Sequence, residues 1–279
     1  MGPDATGTSE WGFDEWFTFH GSGRYWRAQV PRYQVNGRTV RLRKGQYIPD
    51  LMHSFIVNFL EKHKDQPFFL YYPMVHIHTP IVRTPNSRNG ESKDVLYADN
   101  IEYMDKLVGK LMAKLDRLHL RDKTLVVFTG DNGTALFAKD LSKVDGRSII
   151  GAKGQMLEGG SRVPLVVNWP GTTPAGKVCH DLTDFSDFFG TFTELAGATL
   201  PGGLTIDSHS IAPQIKGEAG TPRDWIYMEL NGKSYARDAR YKLTRMGKLF
   251  DLKNAPFEEI PVADDSTDPG GLAARQKLR

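Results

Sequence analysis

Only one cysteine, Cys179, occurs in the chain, so no intrachain disulfide can staple the fold and the redox compartment stays open. No apolar run reaches the roughly 18–20 residues that cross a bilayer as a helix, so no membrane span is expected. Residues 1–16, "MGPDATGTSEWGFDEW", contain neither a basic region nor an apolar one, so no secretion signal is read there. Charge is close to balanced. A formal net charge of +3 gives no argument for nucleic acid by itself. Internal repeats are also lacking. What remains is an ordinary globular composition, in a chain of 279 residues, long enough for one large α/β domain or a core with a smaller appendage.

Three apolar runs read as strands buried on both faces: "PFFLYYPM" (67–74), "TLVVFTG" (124–130) and "VPLVVNWP" (163–170). Continuous rather than alternating apolar content suits a parallel sheet covered by helices. Between them lie helical patterns. Residues 50–64 place Leu51, Met52, Phe55, Ile56, Phe59 and Leu60 on one face, with Asp50 as the expected N-cap. Residues 95–120 repeat the period through Ile101, Met104, Leu107, Val108, Leu111, Leu115 and Leu118, and a third helix is expected over 181–197, ending at Gly197. Strand–helix alternation predicts a three-layer α/β core with a mostly parallel sheet over residues 1–215. From 216 to 279 the texture changes to short strands with turns at Asn231-Gly232 and Met246-Gly247, predicting a small antiparallel sheet and a loose polar tail.

In open α/β sheets, ligands bind beyond the carboxyl ends of the strands, and each central run here ends in groups able to do chemistry. The first leads into His76 and His78, the second into Asp131-Asn132. A glycine-rich stretch, "GAKGQMLEGGSRVP", then delivers Lys153. A carboxylate beside an amide carbonyl is a hard-oxygen pair of the type that calcium or magnesium prefers. Lysine on a glycine loop is a compact point charge for an anion, and a nearby histidine can bind the same anion or exchange a proton. Singly, each is outnumbered by plain turns, solvated histidines and surface lysines.

Together and in order, "WGFDEWFTFHGSG", "PFFLYYPMVHIHTP", "YADNIEYMDKLVGKLMAKL", "DKTLVVFTGDNG", "GAKGQMLEGGSRVPLVVNWPG", "DFFGTFTELAG" and "RYKLTRMGKLFDLKNAPFEE" resemble a sulfatase of the alkaline-phosphatase-like superfamily. The resemblance runs from Trp11 to about Glu259. It implies sulfate-ester hydrolysis, on sulfated carbohydrates or similar esters. It implies that Asp131 and Asn132 ligate a divalent cation, calcium or alternatively magnesium, that Lys153 contacts the ester oxygens and assists the leaving group, and that His78 lies beside the ester oxygen. It assigns Glu158, Gly159, Gly160 and Arg162 a structural role, with Arg162 paired to a local carboxylate. His76 has no firm counterpart and is carried as a candidate substrate contact. The family also implies export to the periplasm, lysosome or medium.

The family's nucleophile is a formylglycine made from Cys/Ser-x-Pro-x-Arg, and that pentapeptide is absent here, as are an Asp-Asp pair near the start and a Gly-Lys-Trp-His segment. Cys179, in "GKVCHDLT", reads as a packing residue. The expectation is a sulfatase core that is inactive alone, incompletely liganded at its metal, and complemented by an N-terminal segment supplied elsewhere. Two other readings stay open: a pseudoenzyme that binds sulfated glycans, and a related phosphodiesterase or phosphonate monoester hydrolase. Seven basic residues lie between Arg24 and Lys44, with no acid between Glu15 and Asp50. Arg24 and Arg27, interleaved with Tyr25, Trp26 and Tyr33, are candidate contacts to a sulfated sugar by ion pairing and stacking. No nucleic-acid-binding module frames them.

Overall fold

The computed structural model describes residues 11–279. By its internal contacts the chain forms two compact units, one ending at Arg121 and the other beginning at Asp122. The change of texture near residue 216 falls inside the second unit, where it marks a change of secondary structure.

The first unit opens with a three-stranded antiparallel sheet: β1 (Phe17–Thr18), β2 (Arg32–Val35) and β3 (Arg38–Arg41). β2 and β3 join through Asn36-Gly37, both at positive φ, the backbone that a two-residue hairpin turn demands. Two helices follow, α1 (Ile48–His63) and α2 (Lys93–Arg117). α1 buries Met52, Ile56 and Leu60 at a spacing of four, the inner half of the face read from sequence. Its N-cap is Tyr47 rather than Asp50, because Pro49 suits the first helical turn and lets the helix begin earlier. Asp50 instead accepts a hydrogen bond from the Tyr103 hydroxyl of α2 at 2.8 Å. Ser92 caps α2, accepting from the Val95 amide at 3.4 Å. α2 is rotated from the expected face: Tyr97, Asn100, Tyr103, Leu107 and Leu115 are buried, whereas Ile101 is exposed. Polar Asn100 is bought its place by donating to the Val82 and Leu96 carbonyls at 2.8 and 2.7 Å.

The core of this unit gathers Tyr25, Val30, Leu42, Tyr47, Ile48, Met52, Val75, Tyr103 and Leu107. Residues 67–74 carry no strand ladder of the expected kind. They run with alternating exposure, Phe68, Leu70, Tyr72 and Met74 half-buried and Phe69 and Tyr71 outward.

In the second unit, β4 (Val126–Thr129) pairs antiparallel with β7 (Leu165–Asn168), Val127 opposite Val167. Between them come the minor strands β5 (Lys143–Val144) and β6 (Arg147–Ser148) and the single helical turn α3 (Glu158–Ser161). Every strand pairing among the described residues is antiparallel, so the mostly parallel sheet expected from the apolar runs is not found among them. The burial expected on both faces is not seen either, since β4 is half-buried and Leu165 and Val166 of β7 are exposed, and apolar content says nothing of strand direction. That is set by the connection, and 130–164 returns as loop rather than as a crossover helix.

α4 (Asp187–Leu195) occupies the expected third helix and ends with Gly197 at φ +67. Its first residue, Asp187, is fully buried and satisfied by the His209 amide at 2.8 Å and by Arg223 at 2.7 Å. After the short turn α5 (Ala212–Ile215) comes a five-stranded antiparallel meander: β8 (Ile226–Leu230), β9 (Lys233–Arg237), β10 (Tyr241–Thr244), β11 (Leu249–Asp251) and β12 (Ile260–Val262). Asn231-Gly232 turns β8 into β9 as read. The tail is not loose. Asp268 caps α6 (Pro269–Lys277), accepting from the Gly271 amide at 2.7 Å, and Ala274 and Leu278 pack on Leu243 and Leu249. Asp-Pro is an N-cap and first-turn signature, and it is the signal that the polar reading passed over. Cys179 is exposed, contrary to its expected packing role.

Candidate functional site

β4 surfaces at Gly130, and Asp131-Asn132 follow at once. The turn is locked by glycines. The Gly133 amide donates to the Gly160 carbonyl at 3.0 Å, and a Cβ on Gly133 would lie 1.8 Å from the Gly159 oxygen. Gly159 and Gly160 are equally crowded, with added Cβ atoms 2.5 Å from the Gly151 oxygen and 2.0 Å from the Gln155 oxygen. Three backbone segments thus pass at distances that only glycine permits. One step further on, the Lys153 amide donates to the Thr134 carbonyl at 2.8 Å. The loop carrying Asp131 and Asn132 and the loop carrying Lys153 are therefore stapled together, and Lys153 projects outward while its neighbour Ala152 is fully buried.

The C-terminal meander holds this arrangement from behind. Buried Glu158 accepts from Arg237 of β9 at 2.6 Å and from Arg162 at 3.3 Å. The latter is the local carboxylate pairing expected for Arg162. Lys242 of β10 donates to the Met156 carbonyl at 3.1 Å and pairs with buried Glu259. The Ile150 amide donates to the Pro256 carbonyl at 3.1 Å, and the Ser161 and Tyr235 hydroxyls bond at 2.8 Å. Sequence reading missed Arg237, Lys242, Glu259 and Tyr235, since partners 17 to 86 positions apart leave no local pattern.

Calcium takes about six to eight oxygens. Asp131 and Asn132 are donors of the right chemistry but supply too few. Among the described residues, no group of three or more His, Cys, Asp or Glu side chains is placed to hold a metal ion. Among the described residues, Asp131 and Asn132 are thus cation donors short of a full shell.

In the first unit, the loop after residue 74 is braced by the segment before α1. The Tyr25 hydroxyl, fully buried, donates to the Val75 and His78 carbonyls at 3.1 and 2.9 Å. Gly23 lets its chain pass beside Thr79, where a Cβ would sit 2.1 Å from the carbonyl oxygen. The His78 Nδ1 lies 2.6 Å from the Thr79 carbonyl. A carbonyl only accepts, so Nδ1 carries a proton, and Nε2 is the ring nitrogen left to meet an incoming group. His76 is differently placed. Its Nε2 bonds the Tyr47 hydroxyl at 3.0 Å, and its ring lies among Tyr25, Tyr47 and Tyr103. That environment makes it a packing group of the aromatic core rather than a substrate contact.

Burial pushes the His76 imidazole down from 6.5 to about 4, which keeps it neutral at pH 7. The folded state therefore binds fewer protons than the unfolded chain between those values. Stability is fully present above pH 6.5 and is lost as pH falls towards 4, at no more than about 1.4 kcal/mol per pH unit. Urea unfolding at pH 7.0, 6.0 and 5.0 is expected to show this decline, and His76→Phe to flatten it. An unchanged slope in the variant would contradict the assignment.

Arg24 and Arg27 part company. Arg24 folds back over Gly21, whereas Arg27 lines a shallow groove with Arg41, Arg43 and Lys44. The stacking expected of Tyr25 and Tyr33 is not available to a sugar: Tyr25 is fully buried, and Tyr33 stacks on Phe17 at 4.8 Å. Of the sequence-derived set, then, Asp131, Asn132 and Lys153 are brought together on interlocked loops. His78 belongs to the first unit, with its outer ring nitrogen available.

A family model described as Sulfatase matches residues 1–198. Arylsulfatase D of Homo sapiens is 35% identical over 221 residues, covering 77% of this chain and 37% of its own length. N-acetylgalactosamine-6-sulfatase of Homo sapiens is 31% identical over 219 residues, covering 73% of this chain and 42% of its own. The chain thus spans well under half the length of these curated relatives. Among solved structures, Ps i-CgsB in complex with k-i-k-neocarrahexaose superposes with a TM-score of 0.77 at 28% identity, covering 94% of this chain and 64% of that one. Uncomplexed Ps i-CgsB gives a TM-score of 0.79 at 27% identity, with 100% and 67% covered. The fold is the alkaline-phosphatase-like α/β fold, carrying a small C-terminal antiparallel sheet.

Proposed function

The chain belongs to the sulfatase family, and from that premise we propose that it forms part of a sulfuric ester hydrolase acting on sulfated carbohydrates. The observation that carries this reading is the stapling of the Asp131-Asn132 loop to the Lys153 loop through Gly133, Thr134 and Gly160. A lysine on a loop anchored to the one bearing hard-oxygen donors suits an ester whose bridging oxygen gains negative charge as its bond to sulfur breaks. Lys153 neutralises that charge and favours departure of the sugar alkoxide. Asp131 and Asn132 contribute two donors to a divalent-cation site, calcium or alternatively magnesium. The resemblance sets His78 beside the ester oxygen; that oxygen only accepts, so this contact calls for a proton on Nε2 as well as on Nδ1.

The attacking group has no candidate here, because no Cys/Ser-x-Pro-x-Arg occurs in the sequence. Lysine and histidine cannot replace a positioned nucleophile in so slow a reaction. We assign that group, and the remaining metal donors, to a complementary N-terminal segment, and expect this chain alone to give no measurable turnover of an aryl sulfate. The choice of sulfated sugars is supported by a relative named for N-acetylgalactosamine-6-sulfate chemistry and by a neighbour solved with a neocarrahexaose.

Binding, unlike turnover, needs only the residues present. Calorimetric titration of the full chain with N-acetylgalactosamine 6-sulfate, in millimolar calcium, is expected to show at least ten-fold tighter binding than with the unsulfated sugar. Lys153→Ala is expected to erase that preference. Equal affinity for the two sugars would contradict the reading.

A further inference from the structure

The proposed function leaves unused the seven cations between Arg24 and Lys44. None of them enters a salt bridge among the described residues. Their arrangement is costly. The register of β2 and β3 sets Arg32 directly opposite Arg41, a like-charge pair that weakens a ladder. Tyr33 turns to the other face and stacks on Phe17, so both arginines point outward. Beyond β3, buried Leu42 separates exposed Arg41 from exposed Arg43, which puts these two guanidinium groups on the same side.

The backbone beneath is fixed. The Leu42 amide donates to the Pro31 carbonyl at 2.9 Å, and the Arg43 amide to the Gln46 side chain at 2.8 Å. Arg27, Arg41, Arg43 and Lys44 border a groove of about 340 Å³ floored by Val40 and Leu42. Four cations, no acid and a rigid frame make a surface that repels itself until an anion settles on it.

We propose that this groove docks a sulfated polysaccharide, each arginine fork taking a sulfate group and Lys44 acting as a point charge. The lining selects among polyanions. Single-stranded nucleic acid needs aromatic platforms on which bases stack, and no aromatic side chain lines the groove. A sulfated glycan asks only for charge at intervals along a chain. The choice of sulfate rests on the functional reading above, whereas the anion groove itself does not.

Fluorescence anisotropy of the full chain with a labelled heparin decasaccharide tests the proposal. With four contacts, affinity is expected to fall on the order of fifty-fold between 50 and 200 mM NaCl. Arg41→Glu/Arg43→Glu is expected to weaken binding at least ten-fold at 100 mM NaCl and to reduce the salt dependence. Both side chains are exposed and the carboxylate introduced at position 41 would face Arg32, so its circular dichroism is expected to match the parent and its urea midpoint to be no lower, and Arg41→Gln/Arg43→Gln gives a milder second variant. Lys233→Ala, at an exposed lysine of β9, is expected to bind the decasaccharide as the parent does. Parental affinity and salt dependence in both double variants would overturn the groove. Tighter binding of single-stranded DNA of equal charge would overturn its assignment to glycans. If the groove variants bind weakly but the chain ignores sulfation of a monosaccharide, the functional reading fails and the groove stands.

Discussion

Lys242→Met is expected to destabilise the protein by about 3–5 kcal/mol, the range for removing one partner of a buried ion pair. Lys242 and Glu259 are each only 3% exposed in their side chains. Lys242 lies over the rings of Tyr235 and Phe250, at 5.1 and 5.3 Å from their centroids, and also donates to the Met156 carbonyl. Methionine matches the length of the stem but leaves the Glu259 carboxylate buried without a counter-charge. The cost is therefore that of an uncompensated charge and exceeds the worth of the pair itself. Lys242→Met/Glu259→Leu removes both charges and is expected to recover most of the loss, because apolar replacement of a whole buried pair is often neutral. Urea unfolding of parent, single and double variants checks this. A single-variant loss below 1 kcal/mol, or a double variant no better than the single, would contradict it.

Gly133→Ala carries the largest expected effect on binding. A methyl group there would meet the Gly159 oxygen at 1.8 Å, the Gly159 carbon at 2.7 Å and the Gly160 carbon at 3.1 Å. All three are backbone atoms, so no side chain can swing aside. The 3.0 Å hydrogen bond from Gly133 to Gly160 must break as the segments separate. Overpacking of this kind costs about 1–3 kcal/mol and sometimes more, but its functional effect is greater, because the loops bearing Asp131, Asn132 and Lys153 lose their common anchor. Loss of the preference for the sulfated sugar is expected, comparable to that in Lys153→Ala. Gly130→Ala is the control: its added carbon would make only ordinary contacts at 3.5 Å. Unaltered sugar preference in Gly133→Ala would show that the interlock does not position the site.

Local signals carried much of this architecture. Periodicity located α1, α2 and α4, and Asn231-Gly232 announced the turn between β8 and β9. The Glu158–Arg162 pairing lay within reach because its partners are four residues apart. What escaped depends on distant partners. Glu158 meets Arg237 across 79 positions, so the support of the lysine loop by the meander has no sequence signature. Tyr25 read as a sugar platform because it sits among arginines, yet its hydroxyl finds two carbonyls 50 and 53 residues away and draws the ring into the core. His76 was drawn inward by the same aromatic cluster. The apolar runs marked β4 and β7 but gave neither their burial nor their direction, and so the antiparallel return of β7 on β4 was not foreseen. At the candidate site, Asp131, Asn132 and Lys153 were legible as residues. The glycine interlock that joins their loops was legible only as composition.

That Asp131, Asn132 and Lys153 act as one recognition unit for a sulfate ester is tested most directly by nuclear magnetic resonance of the isotope-labelled full chain. N-acetylgalactosamine 6-sulfate is titrated in at fixed millimolar calcium, and the backbone amides of 131–134 and 152–154 are followed. Both sets are expected to shift together, with one shared dissociation constant, and to stay still with the unsulfated sugar. Shifts confined to one loop, or absent from both while other parts of the chain respond, would contradict the account.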